Sequence, residues 1–304
     1  MGGSNGYFKS NIETLKRKIN SAEKNVDNKK YESDVSAYLN SLLSKFNDRD
    51  VDQINTHLGE ILKTIKSKTD ENFNVLLGGS VSKNTYVDGL SDIDTLLILN
   101  DNKFANKQPN EIKQILAKLL KERFPNTEIT VGNLAITVSF SDCDIQLLPA
   151  IRSSSMIKIQ AESGNTWSKI NAKAFNDKLT AVNSKNGGKV IPVIKLAKAI
   201  IGNFSDKQKI SGYHAESLAI KIFNDYKGEL NSKSMLQHFL KEASSFVLSP
   251  ISDKTGQSVH VDEYLGVKDS LQRQIVSGAL SRAYRRLVNA DNSQSKEAWE
   301  EMFK

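Results

Sequence analysis

Two acidic residues separated by one position follow a short glycine-serine step in the first third of the chain. Gly79-Ser80 comes first, and Asp92-Ile93-Asp94 then leads into the apolar run 95–99. Alternate residues of an extended strand share one face about 6–7 Å apart, so Asp92 and Asp94 should point the same way. Neighbouring like charges repel each other. A pair of divalent cations roughly 4 Å apart relieves this repulsion and is the usual apparatus of in-line phosphoryl transfer.

A second acidic segment offers a third carboxylate. Across residues 139–150, alternation places Asp142, Asp144 and Gln146 on one face of a predicted strand. Three carboxylates, together with waters and phosphate oxygens, can hold two hard cations. Asp144 is our preferred third ligand because it directly precedes an apolar segment that can anchor it, and Asp142 is the alternative. Both residues can also be interpreted as solvent-facing strand positions.

The order of these segments resembles a known family. Gly79-Ser80, the step Lys83-Asn84-Thr85, the stretch 90–94 and a later strand Asp are similar to the polymerase-β-like nucleotidyltransferases. More narrowly they resemble the bacterial cyclic-oligonucleotide synthases of antiphage defence, called CD-NTases in CBASS systems, which are relatives of animal cyclic GMP-AMP synthase. Many superfamily members carry Arg-Gly-Thr where this chain has Lys83-Asn84-Thr85, and this departure leaves the three Asp residues untouched.

The resemblance also implies roles for these residues. Gly79 and Ser80 would hold a nucleoside triphosphate such as ATP or GTP. Asp92 and Asp94 would bind two Mg²⁺ ions, with Mn²⁺ as a possible substitute, and Asp144 would help to deprotonate the attacking hydroxyl.

A glycine break at 187–188 precedes a mostly apolar predicted helix that carries two lysines. Lys195 and Lys198 are three residues apart, so they share a helix face. Ammonium groups on an otherwise buried helix need an anionic partner, for which a triphosphate would serve. Alternatively, both side chains extend to the surface. The resemblance places Lys198 where the family uses a lysine against the triphosphate, so we rank it above Lys195.

The segment 210–218 predicts a second anion-binding element. Ser211 is a plausible helix N-cap, and the free N–H groups of a helix start favour anions. Tyr213 offers a ring on which a base could stack, although a packed core tyrosine is the alternative. The resemblance assigns the Ser211 hydroxyl to the phosphates and the Tyr213 ring to the donor base. His214 has a packed or capping role in this interpretation.

The predicted fold class is α/β (α+β) and bilobal: a polymerase-β-like catalytic domain with a small mixed sheet, followed by a helical lobe. We assign residues 1–182, with the N-terminal helices, to the catalytic domain and residues 183–304 to a lobe like that of oligoadenylate synthases. Periodicity predicts helices near 7–25, 31–47, 51–65, 111–124 and 269–289, a strand at 73–77 and a hairpin of 129–131 with 134–138. Strand signals fade beyond about 165. In the last helix we expect Leu271 to face inward and Arg273, Arg282, Arg285 and Arg286 to face outward.

Composition narrows the class of protein. The 304 residues carry a formal charge of +7, which permits polyphosphate or nucleic-acid binding without requiring either. The single cysteine, Cys143, excludes an internal disulfide and a cysteine-based zinc site and suits a reducing cytoplasm. No run of 18 apolar residues and no signal-peptide pattern is present, so we expect a cytoplasmic protein without a membrane partner.

Three functions remain open on sequence grounds. The first is synthesis of a cyclic di- or trinucleotide messenger, with regulatory partner proteins acting on the synthase and a separate effector binding its product, as the resemblance implies. The second is nucleotidyl transfer to RNA or to a protein side chain, as in tRNA end repair or antitoxins. The third is nucleotide binding without turnover, against which the complete acidic set argues.

Overall fold

The computed structural model describes most of the chain. The described residues exclude 1–4, 47–50, 70–72, 78, 88–92, 100–103, 105–106, 154–155, 161–165, 171 and 252–260. The predicted ligand Asp92 therefore lies outside the described residues, whereas Asp94 lies within a described strand.

A mixed β-sheet forms the first layer. Its strands are β1 (Phe73–Leu77), β2 (Ile93–Leu99), β3 (Glu128–Val131), β4 (Ile136–Ser139), β5 (Asp144–Ser153), β6 (Met156–Gln160) and β7 (Trp167–Ile170). The strand order is β1-β2-β5-β4-β3. Strand β6 pairs with the C-terminal part of β5 on one side and with β7 on the other. The pair β2–β5 is parallel, and the other described pairs are antiparallel. The sheet is thus mixed, as the sequence predicts.

Helices cover this sheet and build a second layer. They are α1 (Asn5–Lys45), α2 (Val51–Thr69), α3 (Gly79–Ser82), α4 (Pro109–Arg123), α5 (Ala172–Lys185), α6 (Val190–Gly202), α7 (Gly212–Phe223), α8 (Ser232–Phe246), α9 (Leu271–Asn292) and α10 (Lys296–Glu300). Among the described residues, none of these helices combines the length and apolar character that crossing a membrane requires.

Two main hydrophobic cores correspond to the sheet and to the helical layer. Ile61 of α2, Leu116 of α4 and Leu97 of β2 belong to one buried cluster on the sheet. The other cluster is built on the later helices, and it also includes Val35 and Leu39 of α1. The first helix therefore contributes to the helical core as well, and the domain boundary between residues 182 and 183 stays a prediction.

The glycine break before α6 is confirmed. Gly187 and Gly188 have φ angles of 60° and 75°, in the left-handed region that glycine tolerates without strain. The chain then enters α6, whose apolar side chains from Val190 to Ile201 are mostly buried. This turn sets the direction of the helix that carries Lys195 and Lys198.

Several local predictions are wrong. The helices predicted near 7–25 and 31–47 are one continuous helix, α1, because no glycine or proline interrupts residues 7–58. Strand β7 lies beyond residue 165, where we expected strand signals to fade; it forms by pairing with β6.

At the start of α9, the buried and exposed positions differ from the prediction. Leu271 is 74% exposed, whereas Arg273 is fully buried. Ser270 caps the helix, and the Arg273 guanidinium donates to Asp262 at 2.7 Å and to the backbone oxygen of Val247. A buried, paired guanidinium can replace an apolar residue at such a position. Arg282, Arg285 and Arg286 are exposed as predicted.

Candidate functional site

A short helix after β1 carries the glycine-serine step. In α3 Ser80 is buried, and its carbonyl oxygen accepts a hydrogen bond from the Thr85 N–H at 2.9 Å. Between them Asn84 adopts φ 57°, a left-handed conformation that glycine favours and asparagine tolerates. Asn84 thus occupies a conformation suited to the glycine of the Arg-Gly-Thr step, which accounts for that departure from the family pattern.

A buried carboxylate joins this segment to the helical layer. Glu216 of α7 is 1% exposed and accepts hydrogen bonds from Lys83 and from the Thr85 hydroxyl. The Lys198 ammonium of α6 donates to the same carboxylate at 2.8 Å and to the Thr85 carbonyl oxygen at 3.1 Å. Glu216 therefore links α7 to the preceding helix α6 and to the segment 83–85, which is more than 130 residues earlier in the sequence.

The charge of Glu216 depends on these two lysines. Burial alone would raise the pKa of its carboxyl, but the positive charges of Lys198 and Lys83 and their hydrogen bonds outweigh this effect and lower the pKa to about 2. The carboxylate is ionised at neutral pH. Two ammonium groups and one carboxylate leave one net positive charge in the cluster.

The predicted phosphate-binding residues lie around this cluster. A Cβ placed on Gly212 would lie 3.3 Å from the Lys198 ammonium nitrogen, so the start of α7 and Lys198 are adjacent. Ser211 is the N-cap of α7, as predicted, and its hydroxyl accepts the His214 N–H at 3.1 Å. The structure thus brings Lys198 and Ser211 together with the backbone that follows Ser80. Lys195 is also buried, at 8% exposure, one helical turn before Lys198.

Aromatic rings line the same region. The Tyr213 ring packs at 4.9 Å and 43° against buried Phe175, and the Lys83 ammonium lies 5.3 Å from the Tyr213 ring centre. A cation near an aromatic face is electrostatically favourable. Tyr213 is half-buried, so its predicted role in base stacking stays a prediction beside this packing role.

His214 has the packed position that the sequence indicated. Its side chain is fully buried, and Nδ1 lies 3.0 Å from the Tyr264 hydroxyl. Burial lowers the pKa of the imidazole, nearby Asp262 raises it and Arg273 lowers it, with a net value of about 4. A neutral, buried imidazole of this kind supports the start of α7. The Tyr264 hydroxyl also accepts the Ser211 N–H at 3.0 Å.

The acidic strands lie next to each other in the sheet. In the parallel pair β2–β5, Asp94 is opposite Gln146, two residues beyond Asp144. Asp144 is exposed at the first residue of β5. Carboxylate oxygens are the donors that Mg²⁺ and Mn²⁺ prefer, so the residue types near the N-terminal ends of these two strands fit a hard cation.

Asp142 has a different environment. It lies in the turn between β4 and β5, and its carboxylate is 3.0 Å from His57 Nε2 of α2. The alternation assumed from the sequence does not extend to it, because β5 begins at Asp144. Asp142 therefore already has a partner outside the predicted Mg²⁺ site, and its role as the alternative third ligand stays a prediction.

Sequence reasoning assigned no role to the residue at the centre of the site. Glu216 appeared only as part of the segment 210–218, and Lys83 and Thr85 only as a departure from a family motif. The signal was present in a weak form, since an acidic residue interrupts the largely apolar helix α7 and since Lys195 and Lys198 needed anionic partners. Only the fold pairs Glu216 with Lys198 and with Lys83, which is 133 residues earlier in the sequence.

The fold defines the class of protein. The structure superimposes on the CdnG CD-NTase of Bradyrhizobium diazoefficiens in complex with GTP, with a TM-score of 0.65 and 11% identity over 89% of this chain and 99% of that one. It also superimposes on the CdnE cyclic dinucleotide synthase of Elizabethkingia meningoseptica with GTP and Apcpp, with a TM-score of 0.59 and 16% identity over 77% and 91% of the two chains. The E. coli MS115-1 CdnC:HORMA-deltaN complex gives a TM-score of 0.58 and 17% identity over 86% and 91%. The fold is therefore that of CD-NTases, as predicted.

A family model gives the identity. The model described as the Second Messenger Oligonucleotide or Dinucleotide Synthetase domain matches residues 32–183, half of the chain. The chain belongs to this family and is a nucleotidyltransferase of the cyclic-oligonucleotide synthase class, which confirms the resemblance seen in the sequence. A search of curated proteins finds no match. The individual site residues stay predictions.

Proposed function

We propose that this protein joins nucleoside triphosphates into a cyclic di- or trinucleotide messenger of antiphage signalling and releases pyrophosphate. The observation that supports this most directly is the meeting of Lys198, the start of α7 and the backbone after Ser80 around Glu216. This arrangement places a lysine, a capped helix start and a small-residue step at one place. Each of these features favours a polyphosphate.

Phosphate binding falls to residues on both layers. Gly79 and Ser80 would bind the β- and γ-phosphates from the sheet side, and Lys198 and Ser211 would bind them from the helical side. The cluster keeps one net positive charge after Glu216 has paired with its lysines, so an anionic ligand adds favourable electrostatic energy. Lys195 ranks below Lys198, and Tyr213 would stack on the donor base.

The Asp residues near the N-terminal ends of β2 and β5 would hold the metal ions. Asp92, Asp94 and Asp144 would bind two Mg²⁺ ions, and Mn²⁺ could replace them. Bound there, such ions supply Lewis-acid stabilisation of the phosphoryl oxygens and lower the pKa of the attacking hydroxyl. Asp144 would be the third ligand rather than Asp142. Asp142 lies in the turn that precedes β5, where its carboxylate contacts His57 of α2.

Partners follow by analogy with similar proteins. The CdnC structure is a complex with HORMA-deltaN, and we infer that a regulatory protein also acts on this synthase. A separate effector would bind the product, and nucleic acid would not be required. We place this activity in the cytoplasm, where nucleoside triphosphates are abundant.

The direct test is incubation of the pure protein with four labelled nucleoside triphosphates and Mg²⁺, without any polymer. We expect a soluble, phosphatase-resistant product, with pyrophosphate released, and mass spectrometry should identify its bases and ring size. The double variant Asp92→Ala with Asp94→Ala should make no product while keeping its circular-dichroism spectrum.

Two results would contradict the proposal. Product that forms only when RNA or a protein acceptor is added would favour nucleotidyl transfer to a polymer. Metal-dependent triphosphate binding without pyrophosphate release, even with candidate regulatory proteins present, would favour a non-catalytic binder. As a matched control, Lys173→Ala changes an exposed residue of α5 and should leave product formation intact.

A further inference from the structure

A group of three different metal-binding side chains lies at the turn that precedes β5. His57 of α2 and Asp142 and Cys143 of the turn place one nitrogen, one oxygen and one sulfur atom within 4.8 Å of one another. These residues are separate from the phosphate-binding cluster around Glu216.

The backbone and rings around the group hold it in place. The Phe140 N–H donates to the Cys143 carbonyl oxygen at 3.0 Å and closes the turn. The His57 ring stacks on Phe140 with ring centres 3.9 Å apart and an angle of 10° between the planes, and Phe124 packs edge-on against Phe140. Both the turn and the imidazole are therefore supported by packing.

We propose that His57, Asp142 and Cys143 form a binding site for a transition-metal ion of the zinc class. Thiolate, imidazole and carboxylate are the ligands that Zn²⁺ takes, at about 2.3, 2.0 and 2.1 Å respectively. Tetrahedral coordination at these lengths sets ligand atoms about 3.5 Å apart, which small side-chain rotations reach from the observed spacing. Three protein ligands leave a fourth position for water.

The donor set separates this site from the predicted Mg²⁺ site. A thiolate and an imidazole favour zinc-class ions, whereas Mg²⁺ prefers oxygen ligands. From the sequence we excluded a cysteine-based zinc site because the chain has a single cysteine. The fold instead supplies a histidine from a helix 85 residues away from Asp142. An ion bound there would join α2 to the turn that leads into Asp144.

Cobalt titration tests the site because the absorption spectrum of bound Co²⁺ depends on the ligands that hold it. Cys143 is the single cysteine of the chain, so a thiolate-to-cobalt charge-transfer band can arise from that residue alone. We expect one equivalent of Co²⁺ to give this band together with tetrahedral visible bands, and Zn²⁺ to bleach both. Excess Mg²⁺ should leave the band unchanged, and Zn²⁺ should raise the melting temperature of the wild-type protein.

Single substitutions then assign the ligands. Cys143→Ser should abolish the charge-transfer band, and His57→Gln and Asp142→Asn should each weaken Co²⁺ binding by at least about 10-fold. Asp94→Asn should keep the band, which distinguishes this site from the predicted Mg²⁺ site. His238→Gln, a half-buried histidine of α8, is the matched control and should also keep it. Urea unfolding of each variant in the absence of metal verifies that the fold is retained.

The results that would rule out the metal site differ from those that would rule out the proposed synthase activity. No charge-transfer band at saturating Co²⁺ in a folded wild-type protein would eliminate it. Unchanged Co²⁺ affinity in a folded His57→Gln or Asp142→Asn variant would eliminate the three-ligand site and leave an ordinary histidine-carboxylate pair. Neither result bears on cyclic-nucleotide synthesis, which the product assay tests separately.

Discussion

The carboxylates of this protein occupy two contrasting environments. Glu216 is buried between the sheet and the helical layer, where two lysines and a threonine satisfy it. Asp144 is exposed at the first residue of β5, a central strand that pairs with the strand of Asp94. A buried carboxylate with cationic partners contributes to structure, whereas an exposed carboxylate is available to a cation. The two positions therefore predict opposite responses to substitution.

Removal of the exposed carboxylate should have the largest effect on activity. We expect Asp144→Asn to lower product formation on the order of 1,000-fold or more, because the metal ions would lose a ligand and the transition state its charge stabilisation. The free energy of unfolding should change by less than about 0.5 kcal/mol, as is usual for exposed positions. Product chromatography and urea unfolding measure the two quantities.

Two other Asp residues serve as comparisons for this variant. Asp142→Asn should retain more activity than Asp144→Asn, and Asp177→Asn, an exposed residue of α5, should behave like the wild type. An inactive Asp142→Asn beside an active Asp144→Asn would transfer the role of third ligand to Asp142.

Removal of the buried carboxylate should have the larger effect on stability. Glu216→Ala leaves the buried Lys83 and the largely buried Lys198 without their shared partner, which costs roughly 3–5 kcal/mol of unfolding free energy. Urea unfolding measures this loss, and Glu122→Ala on the exposed face of α4 is the matched control. Equal unfolding midpoints for the two variants would show that Glu216 contributes little to the joining of the layers.

The charge of Glu216 also predicts a pH dependence. Its pKa falls from 4.5 to about 2 on folding, so the unfolded chain binds more protons between these values. The contribution of this group is fully present above pH 4.5 and is lost as the pH falls towards 2; its size is roughly 3 kcal/mol at 1.36 kcal/mol per unit.

Comparison with Glu216→Gln isolates this contribution. The difference in unfolding free energy between wild type and Glu216→Gln should be constant near pH 6 and narrow as the pH falls below about 4.5. Titration of the other carboxyls affects both proteins alike. A difference that stays constant down to pH 3 would mean that the carboxyl has an ordinary pKa in the folded protein.

The smallest effect should come from a charge pair at the surface. Lys173 and Asp177 of α5 form an exposed ion pair at 2.6 Å, four residues apart. Lys173→Ala should change the unfolding free energy by about 0.5 kcal/mol or less, since water screens such pairs. A loss comparable to that of Glu216→Ala would contradict the view that burial, rather than ion pairing itself, distinguishes the Glu216 cluster.

Local patterns in the sequence predicted the parts of the fold that depend on neighbouring residues. The strand at 73–77, the hairpin near Gly132-Asn133, the glycine break before α6 and the Ser211 cap follow from side-chain period, turn residues and capping chemistry. The same reasoning failed at β7, which depends on its pairing with β6, and at Arg273, whose burial depends on Asp262. Those positions are decided by partners that a local window does not contain.

The amino-acid order by itself determined the family, because the glycine-serine step, the paired Asp residues and the later lysine and serine segments keep a recognisable order along the chain. Only the tertiary structure decided which charges meet. It paired Glu216 with Lys83 and Lys198. It also paired Asp142 with His57, although the sequence pattern had grouped Asp142 with Asp144. The physical reason is that a charge becomes costly or useful according to its burial and its partners, and both are properties of packing between distant segments.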